Sequence, residues 1–364
     1  MAAGVGPVAY RRLVAHFGSA ERVLEASTHE LQKVKGIGSK TAAGIRAARN
    51  LDVSQELAEA NRLGVWLVHI DDPRYPAPLR VLEDAPPVLY VKGTLVRGDA
   101  LAVAIVGSRR CSTYGQEQAS RFAHLLASAG FTIVSGMARG IDTAAHRGAL
   151  AAGGRTIAVQ GCGLGNVFPA ENAELFERIA QQGACVSELP LTYEALAQNF
   201  PGRNRIIAGL CLAVLVVEAS ATSGALITAQ AAIDNNRDVM AVPGRIDSGF
   251  SRGCHRLIRD GARLVESIED IMDLLGPVGQ PLAGPVTEHA RRTDVVNQEP
   301  LFEMARFNLS DVEKKVYEAL DGEPRHVEEI IAATDSGAGQ VSSALIQLRL
   351  KGLIRQLPGN VFLR

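Results

Sequence analysis

Glycines recur beside arginines, hydroxyls and amides in five stretches of this chain. They are Gly107-Ser108-Arg109-Arg110, Ser135-Gly136-Met137-Ala138-Arg139-Gly140-Ile141-Asp142, Gly161-Cys162-Gly163-Leu164-Gly165-Asn166-Val167-Phe168-Pro169, Asn199-Phe200-Pro201-Gly202-Arg203-Asn204-Arg205, and Glu218 with Ser223-Gly224 after it. The chemistry such stretches suit is the grip of a phosphate. Glycine lets backbone N–H groups approach an anionic oxygen, and a following helix adds the partial positive charge of its N-terminus. Arg109, Arg139, Arg203 and Arg205 can bind phosphate through two parallel N–H donors. The same arginines can instead pair with Asp142, Glu171 or Glu218 and only brace the loops. Phe168 and Phe200 offer faces on which bases can stack, or pack beneath their own loops.

The spacing argues against the common nucleotide sites. The first stretch is Gly107-Ser108-Arg109, not G-x-G-x-x-G. The second opens on Ser135-Gly136 where a dinucleotide fold carries Asp or Glu for the ribose. Gly161, Gly163 and Gly165 have the wrong spacing, and the Walker lysine is absent. The five cysteines include no C-x-x-C pair and no His completes a zinc pattern, so no metal and no cofactor is expected. An extended polyanion remains. The net charge of −1 means that such a ligand must be met by local clusters.

These loops need a scaffold that brings them to one side. Apolar, β-branched runs at 101–106, 131–135, 156–160, 184–187, 213–217 and 238–242 alternate with helical stretches. That alternation predicts an α/β, Rossmann-like parallel sheet over residues 100–275, covered on both faces. Right-handed crossovers then place every strand's C-terminal loop at the same sheet edge.

With 364 residues the chain has room for further domains. Residues 1–61 read as a helical module with two Gly-apolar-Gly turns, Gly4-Val5-Gly6 and Gly36-Ile37-Gly38, each opening a helix. It resembles a helix-hairpin-helix (SAM-like) domain, in which Gly36, Gly38 and Lys40 would meet a DNA backbone. Residues 62–99 are proline-rich and read as an extended connector lying on the core. Residues 276–308 read as a flexible linker. Residues 309–364 give three helices and a hairpin, similar to a winged helix, beginning with the capping-box pattern Ser310-Asp311-Val312-Glu313. Its third helix offers only Arg349 and Lys351 as cations, which favours docking over sequence readout. No signal peptide or membrane span is expected, and scattered cysteines fit the cytoplasm.

Several motifs together resemble the DNA-processing protein A family (DprA, also called Smf). They are Ala104-Ile105-Val106-Gly107-Ser108-Arg109, Ser135-Gly136-Met137-Ala138-Arg139-Gly140-Ile141-Asp142 with Ala145-His146, and Asn199-Phe200-Pro201-Gly202-Arg203-Asn204-Arg205. Val216-Val217-Glu218-Ala219, Ser223-Gly224-Ala225-Leu226-Ile227-Thr228-Ala229 and Val242-Pro243-Gly244 complete the set. The resemblance implies a homodimeric, non-enzymatic protein that binds single-stranded DNA during natural transformation. It also implies protection of the incoming strand and loading of the recombinase RecA past single-strand-binding protein. Carried over residue by residue, the DNA-binding positions are Ser108, Arg109 and Arg110, the loop from Gly136 through Arg139 to Gly140, Gly161, Gly163, Phe168, Asn172, and Arg203, Asn204 and Arg205. One departure stands out. Ala170-Glu171 follows Phe168-Pro169 where the family often has a cation. Glu171 is unfavourable beside phosphate unless it points away or pairs with an arginine.

Two other classes compete. Glu218 with Arg139, Asp142 and Ser223 would make a nucleoside monophosphate hydrolase site, but Val242-Pro243-Gly244-Arg245 lacks the Pro-Gly-Gly-x-Gly-Thr loop of such enzymes. A winged-helix transcription regulator is disfavoured by the weak third helix.

Overall fold

The computed structural model describes residues 4–276, 309–320, 325–334, 336–350, 353–357 and 361–363. They fall into two units, Met1–Gly276 and Pro277–Arg364. The linker expected at 276–308 lies outside the described residues beyond Gly276.

The first unit opens with α1 (Pro7–Phe17), α2 (Ala20–Glu25), α3 (Thr28–Gln32), α4 (Ser39–Ala48) and α5 (Ser54–Arg62). Pro7 starts α1 where its missing N–H is not needed. Ser27 and Glu30 close a capping box on α3. Leu13, Leu31, Ile37, Ala42 and Ile45 form this module's own small core. Gly6 N-caps α1 and Gly38 N-caps α4. A Cβ on Gly4 would lie 3.1 Å from Thr41 Oγ1, so the two Gly-apolar-Gly turns are neighbours in space as in sequence pattern.

The connector does more than lie on the core. It forms β1 (Val65–His69), α6 (Ala77–Arg80) and β2 (Val88–Gly93), and both strands join the sheet. The chain continues through β3 (Ala102–Val106), α7 (Thr113–Ser128), β4 (Thr132–Ser135), α8 (Ile141–Ala151), β5 (Thr156–Val159), α9 (Ala173–Gln182) and β6 (Ala184–Ser187). Then come α10 (Asn199–Leu210), β7 (Ala213–Val216), α11 (Ala225–Asp234), β8 (Asp238–Ala241), α12 (Arg252–Arg259), β9 (Arg263–Leu264) and α13 (Ile268–Leu275).

The nine strands run in the order β1-β2-β6-β5-β4-β3-β7-β8-β9. From β6 to β9 the pairings are parallel; β1–β2 and β2–β6 are antiparallel. The apolar strands are buried on both faces, because helices cover each side. Val134, Ile157 and Val214 pack into one layer, and Ile105, Ile133 and Leu215 into the other. The order reverses at β3: the chain steps outward through β4, β5 and β6, then returns to β7 on the other side. At such a switch point the loops after β3 and β7 diverge and leave a crevice at the carboxyl edge.

The second unit contains α14 (Asp311–Glu318), β10 (Arg325–His326), α15 (Val327–Thr334), α16 (Ala338–Leu350), β11 (Arg355–Leu357) and β12 (Val361–Leu363). The expected capping box is present: Ser310 Oγ accepts from Glu313 N–H, and the Glu313 carboxylate accepts from Ser310 N–H at 2.6 Å. The strands pair β10-β12-β11, so the hairpin gains a third strand that the sequence pattern did not announce. The turn at 358–360, Asp335 and Lys351 lie outside the described residues. Val316, Leu345, Leu348 and Phe362 make the core of this winged helix.

Candidate nucleic-acid interface

A cavity of about 540 Å³ opens at the switch point. Its walls come from the loops after β3 and β7, from α10 and α11, and from the loop after β8. Ser108, Arg109 and Arg110 line it together with Ala138 and Asp142, Phe200, Arg203 and Asn204, and Ser223 and Gly224, so four of the five sequence-predicted stretches converge there.

The arginine loop after β3 is shaped by one residue of β7's end. Glu218, only 4% exposed, takes Ser112 N–H on Oε2 and the Ser112 hydroxyl on Oε1, both at 2.7 Å. Its backbone oxygen accepts from Ser108 N–H at 2.7 Å. Ser112 in turn caps α7, accepting from Gly115 N–H. Close approach explains Gly107, since a Cβ there would lie 2.8 Å from Glu218 O. Clamped at both ends, the loop holds Arg109 and Arg110 exposed at the rim, with neither in an ion pair among the described residues. The Arg109 guanidinium lies 5.0 Å from the Phe200 ring centroid, a cation–π contact. Phe200 is half-buried, and Phe168, exposed, lies beside it with ring centroids 5.7 Å apart.

The loop after β4 forms the floor. Gly140, at φ 76°, packs so tightly that a Cβ would fall 2.5 Å from Ser108 O. Asp142 folds back to accept from Gly136 N–H (3.1 Å) and Ala138 N–H (3.3 Å). Burial pushes its carboxyl up to about 6, against the opposing pull of Arg203. Met137 takes a positive φ of 61°, and Asn172 holds it there: its Nδ2 donates to Met137 O at 3.0 Å and to Thr143 Oγ1 at 2.8 Å.

Several residues expected to meet phosphate have other partners. Arg203 is 5% exposed; its Nη1 donates to Gly136 O at 2.6 Å and to Val159 O, and its Nε to Asn204 Oδ1 at 3.2 Å. It borders the cavity as part of the frame. Arg205 turns away, its guanidinium taken by Glu188 (2.6 Å) and Asp84 (3.3 Å). Arg139 pairs with Glu171 through two donors, the Nη2–Oε2 contact at 2.6 Å, and this pairing draws the Glu171 carboxyl below its usual range. So Glu171 does meet the condition under which it is tolerable. Asn172 is buried in its clamp. Gly161 and Gly163 are also buried: a Cβ on Gly161 would strike the Phe200 ring at 2.8 Å, and one on Gly163 would strike Pro190 O at 1.9 Å. These glycines admit packing, and none of Arg139, Arg205, Asn172, Gly161, Gly163 and Phe168 lines the cavity. Gly36 (φ 90°), Gly38 and Lys40 are exposed in the helical module, outside the cavity walls.

Ile227 on α11 belongs to a motif singled out in the sequence but was not assigned to the site, and Phe250, in the loop after β8, is a wall residue outside every such stretch and motif. The signal was present. A sixth parallel strand ends at the same sheet edge, so its following loop belongs with the others.

Comparison with known proteins agrees over the whole chain. The family model for DNA recombination-mediator protein A matches residues 66–276, that for the DprA winged helix domain residues 300–360, and that for SAM-like helix-hairpin-helix tandems residues 2–50. Protein Smf of Synechocystis sp. is 38% identical, covering 99% of this chain and 96% of its own. The X-ray structure of DNA processing protein A from Streptococcus pneumoniae matches with TM-score 0.64 at 36% identity, over 74% of this chain and 93% of that one. A structure of the Helicobacter pylori protein, described by its single-stranded DNA binding mode, matches with TM-score 0.52 at 28% identity, over 58% of this chain and 95% of that one.

Proposed function

The chain belongs to the DNA-processing protein A (DprA/Smf) family, and on that premise we propose that it binds single-stranded DNA as a recombination mediator. It protects incoming strands in natural transformation and loads RecA onto them past single-strand-binding protein. It works as a homodimer in the cytoplasm without catalysing a reaction. The observation that carries this reading is the switch-point cavity, with Arg109 and Arg110 exposed at its rim and the Arg109 guanidinium over the Phe200 ring. Rim cations suit the backbone of a single strand, and an aromatic ring among them suits its bases. Free thiols support a reducing compartment, and no helix among the described residues is long and apolar enough to cross a membrane.

The absence of catalysis is supported by Glu218. A carboxylate with both oxygens engaged by Ser112 is poorly placed to act as a base. In the helical module, the adjacent turns at Gly4-Val5-Gly6 and Gly36-Ile37-Gly38, with Lys33, Lys35 and Lys40 exposed nearby, suit a second backbone contact. The winged helix, whose α16 presents Gln340, Ser343 and Gln347, is assigned to docking.

The test is a titration of the full chain against single- and double-stranded oligonucleotides over a range of salt. Tighter single-strand binding with a measurable salt slope is the expected result; no single-strand binding at low salt overturns the reading. RecA filament growth on strands coated with single-strand-binding protein, with and without this protein, tests the loading step.

A further inference from the structure

The cavity has two unlike walls. One carries Arg109, Arg110 and Phe200. The other carries Ile227 and Phe250, 45% and 42% exposed. These two present flat or branched apolar surface with no donor or acceptor, and Phe250 has no ring partner among the described residues.

Phe250 is held in a rigid loop. Tyr114 Oη donates to Pro243 O at 3.2 Å, and His255 Nε2 lies 3.0 Å from Gly244 O. Ser248 N–H donates to Arg245 O at 3.1 Å, and Ser251 N–H to Ser248 O at 3.3 Å. Phe250 N–H itself bonds Ser248 Oγ at 3.2 Å. A Cβ on Gly244 would fall 2.2 Å from Ser251 Oγ, so the loop is folded hard upon itself. An exposed aromatic so firmly positioned is preorganised for a ligand.

The ligand that suits both walls has a phosphate and a flat π face joined by a short spacer. An apolar peptide would leave the rim arginines without a partner. Resting on the single-strand reading above, we propose that Ile227 and Phe250 form a nucleobase shelf. It takes one base of the strand whose phosphate sits at Arg109 and Arg110. Stacking there is tolerant of sequence, because every base has a π face. Arg252, exposed two residues on at the start of α12, extends the cationic track beyond the shelf.

The test compares poly-dT with an oligonucleotide of the same length made of abasic residues, using fluorescence anisotropy and the full chain. Phe250→Ala should weaken poly-dT binding about tenfold and leave abasic binding unchanged. Phe250→Trp should keep the wild-type affinity, and a 2-aminopurine in the strand should be quenched by wild type but not by Phe250→Ala. Equal loss on both oligonucleotides, or no loss on either, overturns the shelf while leaving the single-strand reading intact. Failure of the wild-type protein to bind either oligonucleotide overturns both.

Discussion

The guanidinium of Arg109 rests 5.0 Å from the centroid of Phe200, and that of Arg203 lies 5.8 Å from the same ring. One arginine is at the rim and the other inside the frame, so their removal should have different signatures. Arg109→Ala should weaken single-strand binding and reduce the slope of log K against log salt by about 0.7, the release expected for one phosphate contact on a single strand. Arg203→Ala should leave that slope unchanged and instead lower stability, because it strands Gly136 O and Val159 O and leaves Asp142 without its buried counter-charge. Salt-dependent titrations with parallel denaturant unfolding read both. Equal slopes for wild type and Arg109→Ala would remove Arg109 from the interface.

Glu171 neutralises a cation beside the proposed groove. Glu171→Ala should therefore strengthen single-strand binding and steepen its salt dependence, with little change in stability because both partners are exposed. Few substitutions that delete a side chain are expected to improve binding. A weaker or unchanged affinity would place Arg139 out of reach of the strand.

Glu218 acts through the loop it clamps. Glu218→Ala should weaken DNA binding as much as Arg109→Ala does, and should also cost about 1–3 kcal/mol of stability by stranding the Ser112 amide. Glu218→Gln keeps one carbonyl acceptor and should recover part of the affinity. In the Arg109→Ala background, Glu218→Ala should cost less affinity than in wild type, because only Arg110 is left for the clamp to position; full additivity in that double-mutant cycle would show that the clamp does not act through Arg109.

Two buried groups of α8 pull the acid stability in opposite directions. Burial drives His146 down to about 3, so it stays neutral when folded while the unfolded chain gains a proton below 6.5. Its contribution is present above 6.5 and is lost as pH falls. Asp142, raised to about 6, takes up its proton first in the folded state, so stability from this group rises as pH falls from 6 towards 3.8. The two nearly cancel across that window. Relative to wild type, His146→Gln should gain stability as pH drops below 6.5, approaching about 1.4 kcal/mol per pH unit, and Asp142→Asn should lose it between 6 and 3.8. Chemical unfolding at several pH values checks this; parallel curves for wild type and both variants would contradict it.

The core was readable because continuous apolar strands separated by helices admit few arrangements. Runs such as Ala213–Val216 and Ala184–Ser187 are buried along their whole length. The connector was not, because its prolines hid two short strands whose evidence lies in pairing: Trp66 opposite Val91, Val91 opposite Val186. The arginines divide along the same line. A glycine beside an arginine marks a loop that can hold an anion, and Arg109 and Arg110 stand free as that pattern suggests. Whether a carboxylate distant in sequence captures the arginine is a tertiary fact. Arg139 meets Glu171 and Arg205 meets Glu188 only after the sheet forms. Arg203 is harder still, since α10 is buried almost all round from Arg203 onward and periodicity gives it no outward face.

The ion pairs that remove Arg139 and Arg205 leave few unpaired charges around each cavity, so one site would hold a strand at only a few points and release it quickly. Tenacity would then come from number. A long strand threaded through several protomers would find each next cavity at high effective concentration, and its lifetime would grow far faster than the contacts in any one of them. On the single-strand reading proposed above, such a coat would be firm as a whole and loose at every point, so that another protein could displace it one nucleotide stretch at a time.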